Sequence, residues 1–263
     1  MGLLNALWAF RGFILSSVKR EIQAKYRNSL FGFAWMIIQP LSMIVVYTVI
    51  FSQLMRSRLP GVDGHFAYSI YLCAGILTWG LFAEIMHRMV AVFVDNANLI
   101  KKLNFPRLCL PLIVVLSAGV NFAIILGLFF AFLLLSGTFP GWPVLAMLPL
   151  LLVQVMFATG LGGVFGVVNV FFRDVGQMFG VLIQFWFWFT PIVYPIGVLP
   201  EWTAGLIQLN PLLPLMEAYQ GILVGGQWPN WWRVAPTAGI AVLLCLYAVL
   251  LFKKHAGDMV DEL

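Results

Sequence analysis

The chain has 263 residues, 62% of them hydrophobic and only 10% charged, with a formal net charge of +5 and a mean hydropathy of +0.97. Soluble domains carry about 25% charged residues, so this composition excludes a large soluble core and indicates a membrane protein. The cations cluster beside apolar stretches, as positive-inside orientation against anionic headgroups requires, and this argues against nucleic acid as a partner.

The stretch Lys25 to Pro40, KYRNSLFGFAWMIIQP, runs from a basic polar surface directly into a long apolar run. Such a stretch marks a point of membrane entry, with cations on the water side. Before it, Leu3, Leu7, Phe10, Ile14 and Val18 can share one helical stripe, while Arg11, Lys19, Arg20, Lys25 and Arg27 form the charged remainder. The spacing predicts an amphipathic helix within residues 1–30, lying on the membrane lipids or docked on the protein. Arg11 interrupts the apolar start, so a cleavable signal peptide is not expected.

Span 1 is expected over about 31–54, with Pro40 bending it. Span 2 covers about 68–94 and places Glu84 and Arg88 at i and i+4, where they can pair on one face as a polar lining or gate, or simply at the wet end of the helix. A basic amphipathic segment follows at 95–107, with Lys101, Lys102 and Arg107, suited to a short helix parallel to the membrane or to an interfacial loop. Span 3 (about 108–135) and span 4 (about 144–168) come next. In span 4, Gly162 and Gly166 have the spacing that lets a neighbouring helix approach closely.

Arg173 and Asp174 are read as part of a loop, 169–177. As neighbours in sequence they would not face each other, which favours contacts with other segments. Span 5, about 178–194, is crowded with Phe185, Trp186, Phe187, Trp188, Phe189 and Tyr194. These rings read either as a headgroup-level belt or as a ladder along a translocation path, where flat faces stack on weakly polar cargo. Residues 195–232 hold two apolar pieces too short to span, broken by Pro200, Asn210, Pro211 and Pro214, and suggest re-entrant or interfacial helices. Span 6 occupies about 233–252.

The expected fold class is therefore all-α: a polytopic membrane protein with six transmembrane helices, an N-terminal interface helix, and short re-entrant helices between spans 5 and 6. One side gathers eleven cations, Arg11, Lys19, Arg20, Lys25, Arg27, Lys101, Lys102, Arg107, Arg173, Lys253 and Lys254; the other gathers Arg56, Arg58 and Arg233. Both termini are accordingly expected in the cytoplasm.

No catalytic constellation emerges. His65, His87 and His255 are far apart, no GxxxxGK[ST] loop is present, and Cys73, Cys109 and Cys245 lack metal-site spacing. Energised work would need a nucleotide site on another subunit.

The ordered set KYRNSLFGFAWMIIQP at 25–40, NLIKKLNFPR at 98–107, FFRD at 171–174, and FTPIVYP through LNPLLPLMEAYQGIL at 189–223 resembles the ABC-2 type transporter permeases that export O-antigen, capsule or teichoic-acid polysaccharides. The resemblance implies a homodimer in the bacterial inner membrane with two ATP-hydrolysing subunits, which bind ATP and magnesium, while this chain binds no cofactor. It further implies an ABC-2 transmembrane domain over 31–263. By that likeness, about 95–106 forms a coupling helix carrying Asn98, Lys101, Lys102, Asn104 and Arg107. The N-terminal helix, with Arg20, Lys25, Tyr26 and Arg27, is a cuff around the docking surface. Phe185, Trp186, Trp188, Phe189 and Tyr194 line the path of a lipid-linked glycan, and about 199–225, with Asn210, Pro211 and Glu217, forms extracytoplasmic gate helices. An exporter of lipids or drugs, and a non-transporting scaffold, are the competing readings.

Overall fold

A computed structural model describes residues 8–26, 31–50, 66–102 and 105–262. Among these the chain is all-helical, with no strand. Four helices are long and apolar enough to cross a bilayer: α3 (Ala67–Asp95), α5 (Cys109–Leu135), α6 (Met147–Phe171, entered through a 3-10 turn at Trp142–Ala146) and α10 (Trp231–His255). At 1.5 Å per residue each exceeds the roughly 30 Å of hydrocarbon.

The bundle is built around α3. Of its most apolar stretch 78% is buried inside the protein, against 22% for α10, so α3 is the central post and α10 a peripheral helix whose Leu243, Leu246 and Leu250 face outward. Helix α6 lies between them, and its glycines explain how closely. A Cβ added at Gly160 would sit 2.6 Å from the backbone nitrogen of Cys245 on α10, and one at Gly166 would sit 2.6 Å from the carbonyl oxygen of Met89 on α3. Gly162 likewise meets Met89. The glycines thus serve two neighbours, and the Gly162/Gly166 pair serves α3.

The expected six spans resolve differently at two places. Helix α2 runs Trp35–Thr48, 14 residues including a buried Pro40, and continues as a π turn at 49–50; residues 51–65 lie outside the described set. Helix α7 runs Asp174–Trp188, 15 residues, beginning before Met178 and ending before Tyr194. The early start puts Asp174 in the first turn, where the helix dipole favours a carboxylate. The early stop follows from Pro191, which has no N–H and cannot continue the helix, and from Thr190, whose hydroxyl donates to the carbonyl of Trp186 at 2.8 Å. Arg173 and Asp174 therefore open a helix instead of lying within a loop, and among the described residues no ion pair joins them.

Between the last two long apolar regions lie α8 (Glu201–Ile207) and α9 (Leu213–Gly225). Leu215, Met216, Tyr219 and Ile222 of α9 are fully buried against the bundle, and Gly226 closes the helix in the left-handed conformation, φ 58°. The remaining elements flank the bundle: α1 (Arg11–Tyr26), α4 (Ala97–Lys102) and α11 (Asp258–Glu262).

Candidate functional site

The candidate functional residues fall at the two ends of α3. At its C-terminal end the chain turns into α4, held by Asn96, whose side chain donates to the carbonyl of Val92 at 2.8 Å and whose own carbonyl accepts from the N–H groups of Leu99 and Ile100. Ile100 is buried while Asn98, Lys101 and Lys102 point outward. Ile100, with Leu99 partly buried beside it, pins this short helix and leaves its polar face to the surroundings. The support extends to the C-terminal segment. Arg107 donates to the carbonyl of Ala256, Phe252 stacks on Phe93 at 5.5 Å, His255 meets Phe171 edge-on at 5.8 Å, and Met259 is 1% exposed. Asn104 lies outside the described residues.

Helix α1 docks on the bundle through Ile14 and Val18, which with Phe10, Phe13 and Ile22 pack against Cys109 and Ile113 of α5. Leu15 and Trp8 stay exposed, so the helix has a docking face and an outer apolar margin. Of its expected stripe, Leu3 and Leu7 lie outside the described residues, as does Arg27. Arg20 is exposed and, among the described residues, donates within its own helix to the carbonyl of Ser16 and the hydroxyl of Ser17; Lys25 and Tyr26 close the helix.

The same docking reveals a polar node. Arg88 reaches Glu21 of α1 at 2.5 Å and Glu84 at 4.0 Å. Ser117 donates to Glu21 at 2.6 Å and Asn121 to Glu84 at 2.9 Å. Sequence spacing exposes the weaker pair, Glu84 with Arg88; the closer partner lies 67 residues away.

Toward the other end of α3 the chain passes through the non-helical segment after α7. Thr190, Pro191 and Ile192 are buried, so their carbonyls need donors within the protein. Tyr71 donates to the carbonyls of Pro191 (3.1 Å) and Tyr194 (3.0 Å), Tyr68 to Val193 (2.7 Å), and Gln220 to Pro191 (3.1 Å). Gly75 makes room for this strap: a Cβ there would lie 3.0 Å from both Gln220 and Ile192. Sequence spacing does not reveal the roles of Tyr68, Tyr71 and Gln220, because their partners are backbone atoms more than a hundred residues away for the tyrosines and 29 for the glutamine. A non-helical TPIVYP beside a polar residue on a buried helix is the signal that could have pointed to them.

Asn210 ties the strap to the aromatic region. Its Oδ1 accepts from Trp186 Nε1 (2.9 Å) and from the Leu212 N–H (3.0 Å), and its Nδ2 donates to Thr190 Oγ1 (2.8 Å) and the Phe189 carbonyl (3.2 Å). The aromatic residues of α7 consequently divide. Trp186 is turned inward against Phe82 (5.4 Å) and Phe157 (6.2 Å), whereas Phe185, Trp188 and Phe189 are each more than half exposed. Tyr194 is half-buried, and its hydroxyl donates back to the Trp188 carbonyl. Pro211 offers its carbonyl to Thr237 on α10 at 2.7 Å.

Glu217, on α9, forms an ion pair with Arg233 at 2.7 Å. Burial pushes the Glu217 carboxyl above its ordinary range, and Arg233 opposes that shift. A recess of about 370 Å³ opens on one side of Glu217, with Tyr71 and Gln220 in its wall, and a second of about 210 Å³ opens on the other, with Trp228, Asn230 and Arg233. Among the described residues no cluster of His, Cys, Asp and Glu could hold a metal ion.

Comparison with known proteins gives this arrangement a context. The model of the family described as ABC-2 type transporter matches residues 13–224. The chain is 28% identical to the O-antigen export system permease protein RfbA of Myxococcus xanthus, over 99% of both proteins. It is 31% identical to an RfbA of Klebsiella pneumoniae over 79% of this chain and 78% of that one. The polysialic acid transport protein KpsM of Escherichia coli is 21% identical over 79% of each. The family match spans most of the sequence, includes α2 to α8 and the greater part of α1 and α9, and falls on a helical membrane bundle with no metal-holding cluster among its described residues: the chain belongs to the ABC-2 type transporter family and is a membrane-embedded permease.

Proposed function

We propose that this chain is the transmembrane subunit of an ATP-driven exporter that moves a polysaccharide, carried on a lipid, across the bacterial inner membrane. It works as a homodimer with two ATP-hydrolysing subunits on the cytoplasmic side. The observation that carries the reading is end-to-end similarity to an O-antigen export permease, over 99% of both chains.

Each end of α3 takes a role in this reading. The α4 segment, with Asn98, Lys101, Lys102 and Arg107, receives the movement of the ATPase subunits. Its basic outward face, pinned by Ile100 and braced by the C-terminal segment, suits a lever that must push on the bundle instead of flexing. Helix α1 borders the docking surface and passes its position to α3 and α5 through Glu21 and Arg88. The exposed rings of α7, Phe185, Trp188 and Phe189, with Tyr194 near them, line the glycan path, because flat aromatic faces hold sugar rings without fixing one hydrogen-bond geometry. Trp186 supports that face from behind. Helices α8 and α9, with Asn210, Pro211 and Glu217, form the extracytoplasmic gate, and both termini are cytoplasmic.

The test is deletion of the chain in its native host, with surface glycan and accumulation of small hydrophobic drugs measured together. Loss of surface glycan with unchanged drug accumulation is expected. Retained glycan with raised drug accumulation would instead assign the small-molecule exporter reading.

A further inference from the structure

The two recesses beside Glu217 adjoin one another, with Glu217, Gly221 and Gln227 in the walls of both. The smaller, at about 210 Å³, carries Trp228, Asn230 and Arg233; the larger, at about 370 Å³, reaches the roughly 300–1,000 Å³ typical of small-molecule sites. Its walls come from separate elements: α3 through Tyr71, the strap through Pro191, α9, and the turn that leads into α10. Tyr71 is 24 residues from the end of α3 at Asp95, which places the recess on the order of 36 Å from the α4 segment, across the thickness of a bilayer core. Trp228, Trp231 and Trp232 are exposed beside it, as tryptophans are where a membrane meets water.

The charge balance selects the ligand. Glu217 and Arg233 are 2.7 Å apart and offset one another, so the site has no net charge to attract a free anion or cation. What the pair retains is unused hydrogen-bonding capacity. Arg233 is a donor with five N–H groups and Glu217 an acceptor with two oxygens, and Gln227 and Asn230 can each do both. A neutral molecule with hydroxyls on adjacent carbons matches this set, because every hydroxyl both donates and accepts. Trp228 supplies a flat face for the C–H side of such a ring. A phosphate-bearing headgroup would have to displace Glu217 from Arg233 and leave the half-buried carboxylate unpaired.

We infer that the recess around Glu217, Gln227, Trp228 and Arg233 binds a sugar unit of the exported glycan on the far side of the membrane from α4. The inference rests on the polysaccharide-export reading and assigns that cargo a second contact, distinct from the exposed rings of α7. Holding the emerging chain here biases it against sliding back while the complex resets.

The test is photocrosslinking in living cells of the native host, from a diazirine side chain introduced at Gln227 in the full chain with its native partners. A second strain carries the diazirine at Leu243, which faces outward on α10. Adducts are purified through the chain and probed for carbohydrate by periodate oxidation and hydrazide labelling. Carbohydrate-positive adducts at position 227, about tenfold above those at 243 and absent when polysaccharide synthesis is blocked, are expected for a site formed by charge-assisted hydrogen bonds. Adducts of lipid or protein only at position 227 would overturn the inference.

Two substitutions accompany it. Trp228→Ala and Glu217→Gln are each expected to lower export about five- to tenfold, as loss of a stacking face or a charged acceptor does, with membrane abundance and ATP hydrolysis retained. Unchanged export in both would also overturn it. The deletion strain separates the two levels: surface glycan that survives deletion refutes the export reading itself, whereas glycan lost on deletion but never captured at position 227 refutes only the recess.

Discussion

Asn210 makes four hydrogen bonds with one side-chain amide, two accepted by Oδ1 and two donated by Nδ2. Its removal would leave Trp186, Thr190, Phe189 and Leu212 short of partners in a half-buried position. Asn210→Ala is therefore expected to cost about 1–3 kcal/mol, read as a lowered Tm of the detergent-solubilised protein. Asn210→Asp is expected to lower it as well, because a carboxylate cannot donate to Thr190 or to the Phe189 carbonyl. An unchanged Tm for the aspartate variant would show that the donating half of the amide contributes nothing. At this scale the sequence is only partly legible. The motif around Asn210 stands out, yet nothing in a run of alternating Phe and Trp says that Trp186 turns inward while Trp188 turns out. That division depends on a partner 24 residues downstream and on Phe82 and Phe157 in other helices. Glu84 and Arg88 show the same limit, since helical spacing reveals their 4.0 Å contact and conceals the 2.5 Å contact of Arg88 with Glu21.

At the scale of elements, the seams of α6 and the docking of α1 give separate tests. A methyl group at Gly160 would meet backbone atoms of α10 at 2.6–2.8 Å, which cannot swing aside, while one at Gly163 would meet the Ala248 Cβ at 3.3 Å. Gly160→Ala is expected to destabilise by about 1–3 kcal/mol through overpacking and to reduce the amount of folded protein recovered from membranes. Gly163→Ala should have a smaller effect; equal losses from both would contradict the assigned seam. For α1, Cys109 is 0% exposed beneath Ile14 and Val18. In a background with Cys73 and Cys245 replaced by alanine, Val18→Asp should raise the labelling rate of Cys109 by a thiol reagent about tenfold, as local undocking would. Labelling that stays as slow as in the parent would mean that α1 does not control access to Cys109. The amphipathic character of this helix is legible in its spacing, whereas its docking surface is not, because Cys109 and Ile113 belong to a helix with apolar residues on every face. Helix α7 shows why span boundaries shift: an apolar pattern continues through Tyr194, but Pro191 ends the helix and side chains of α3 and α9 satisfy the strap that follows.

For the whole molecule, the functional reading joins two ends of one helix. Lys101 and Lys102 lie on the exposed face of a braced segment at one end of α3, and the Glu217 recess lies toward the other. Reversing both lysines to glutamate is expected to uncouple ATP hydrolysis from export, lowering export about tenfold, the scale of a typical coupling energy, with insertion intact. Normal export by a stably inserted double variant would remove α4 from the coupling role. Composition and the ordered motifs make the membrane class and the family legible from sequence, since apolar spans and their flanking cations are local properties. The placement of α4 against the C-terminal segment, through Arg107 and Ala256, joins residues 149 positions apart and required the folded chain.

The proposed export by this chain requires an ATP-hydrolysing partner. Purification of the tagged chain from its native membrane in mild detergent, with subunit stoichiometry and ATPase activity determined on the same sample, tests it. An ATP-hydrolysing subunit in equal amount to the chain is expected, with hydrolysis that co-purifies with it. An intact complex of this chain lacking any such subunit would contradict this and favour a non-transporting scaffold.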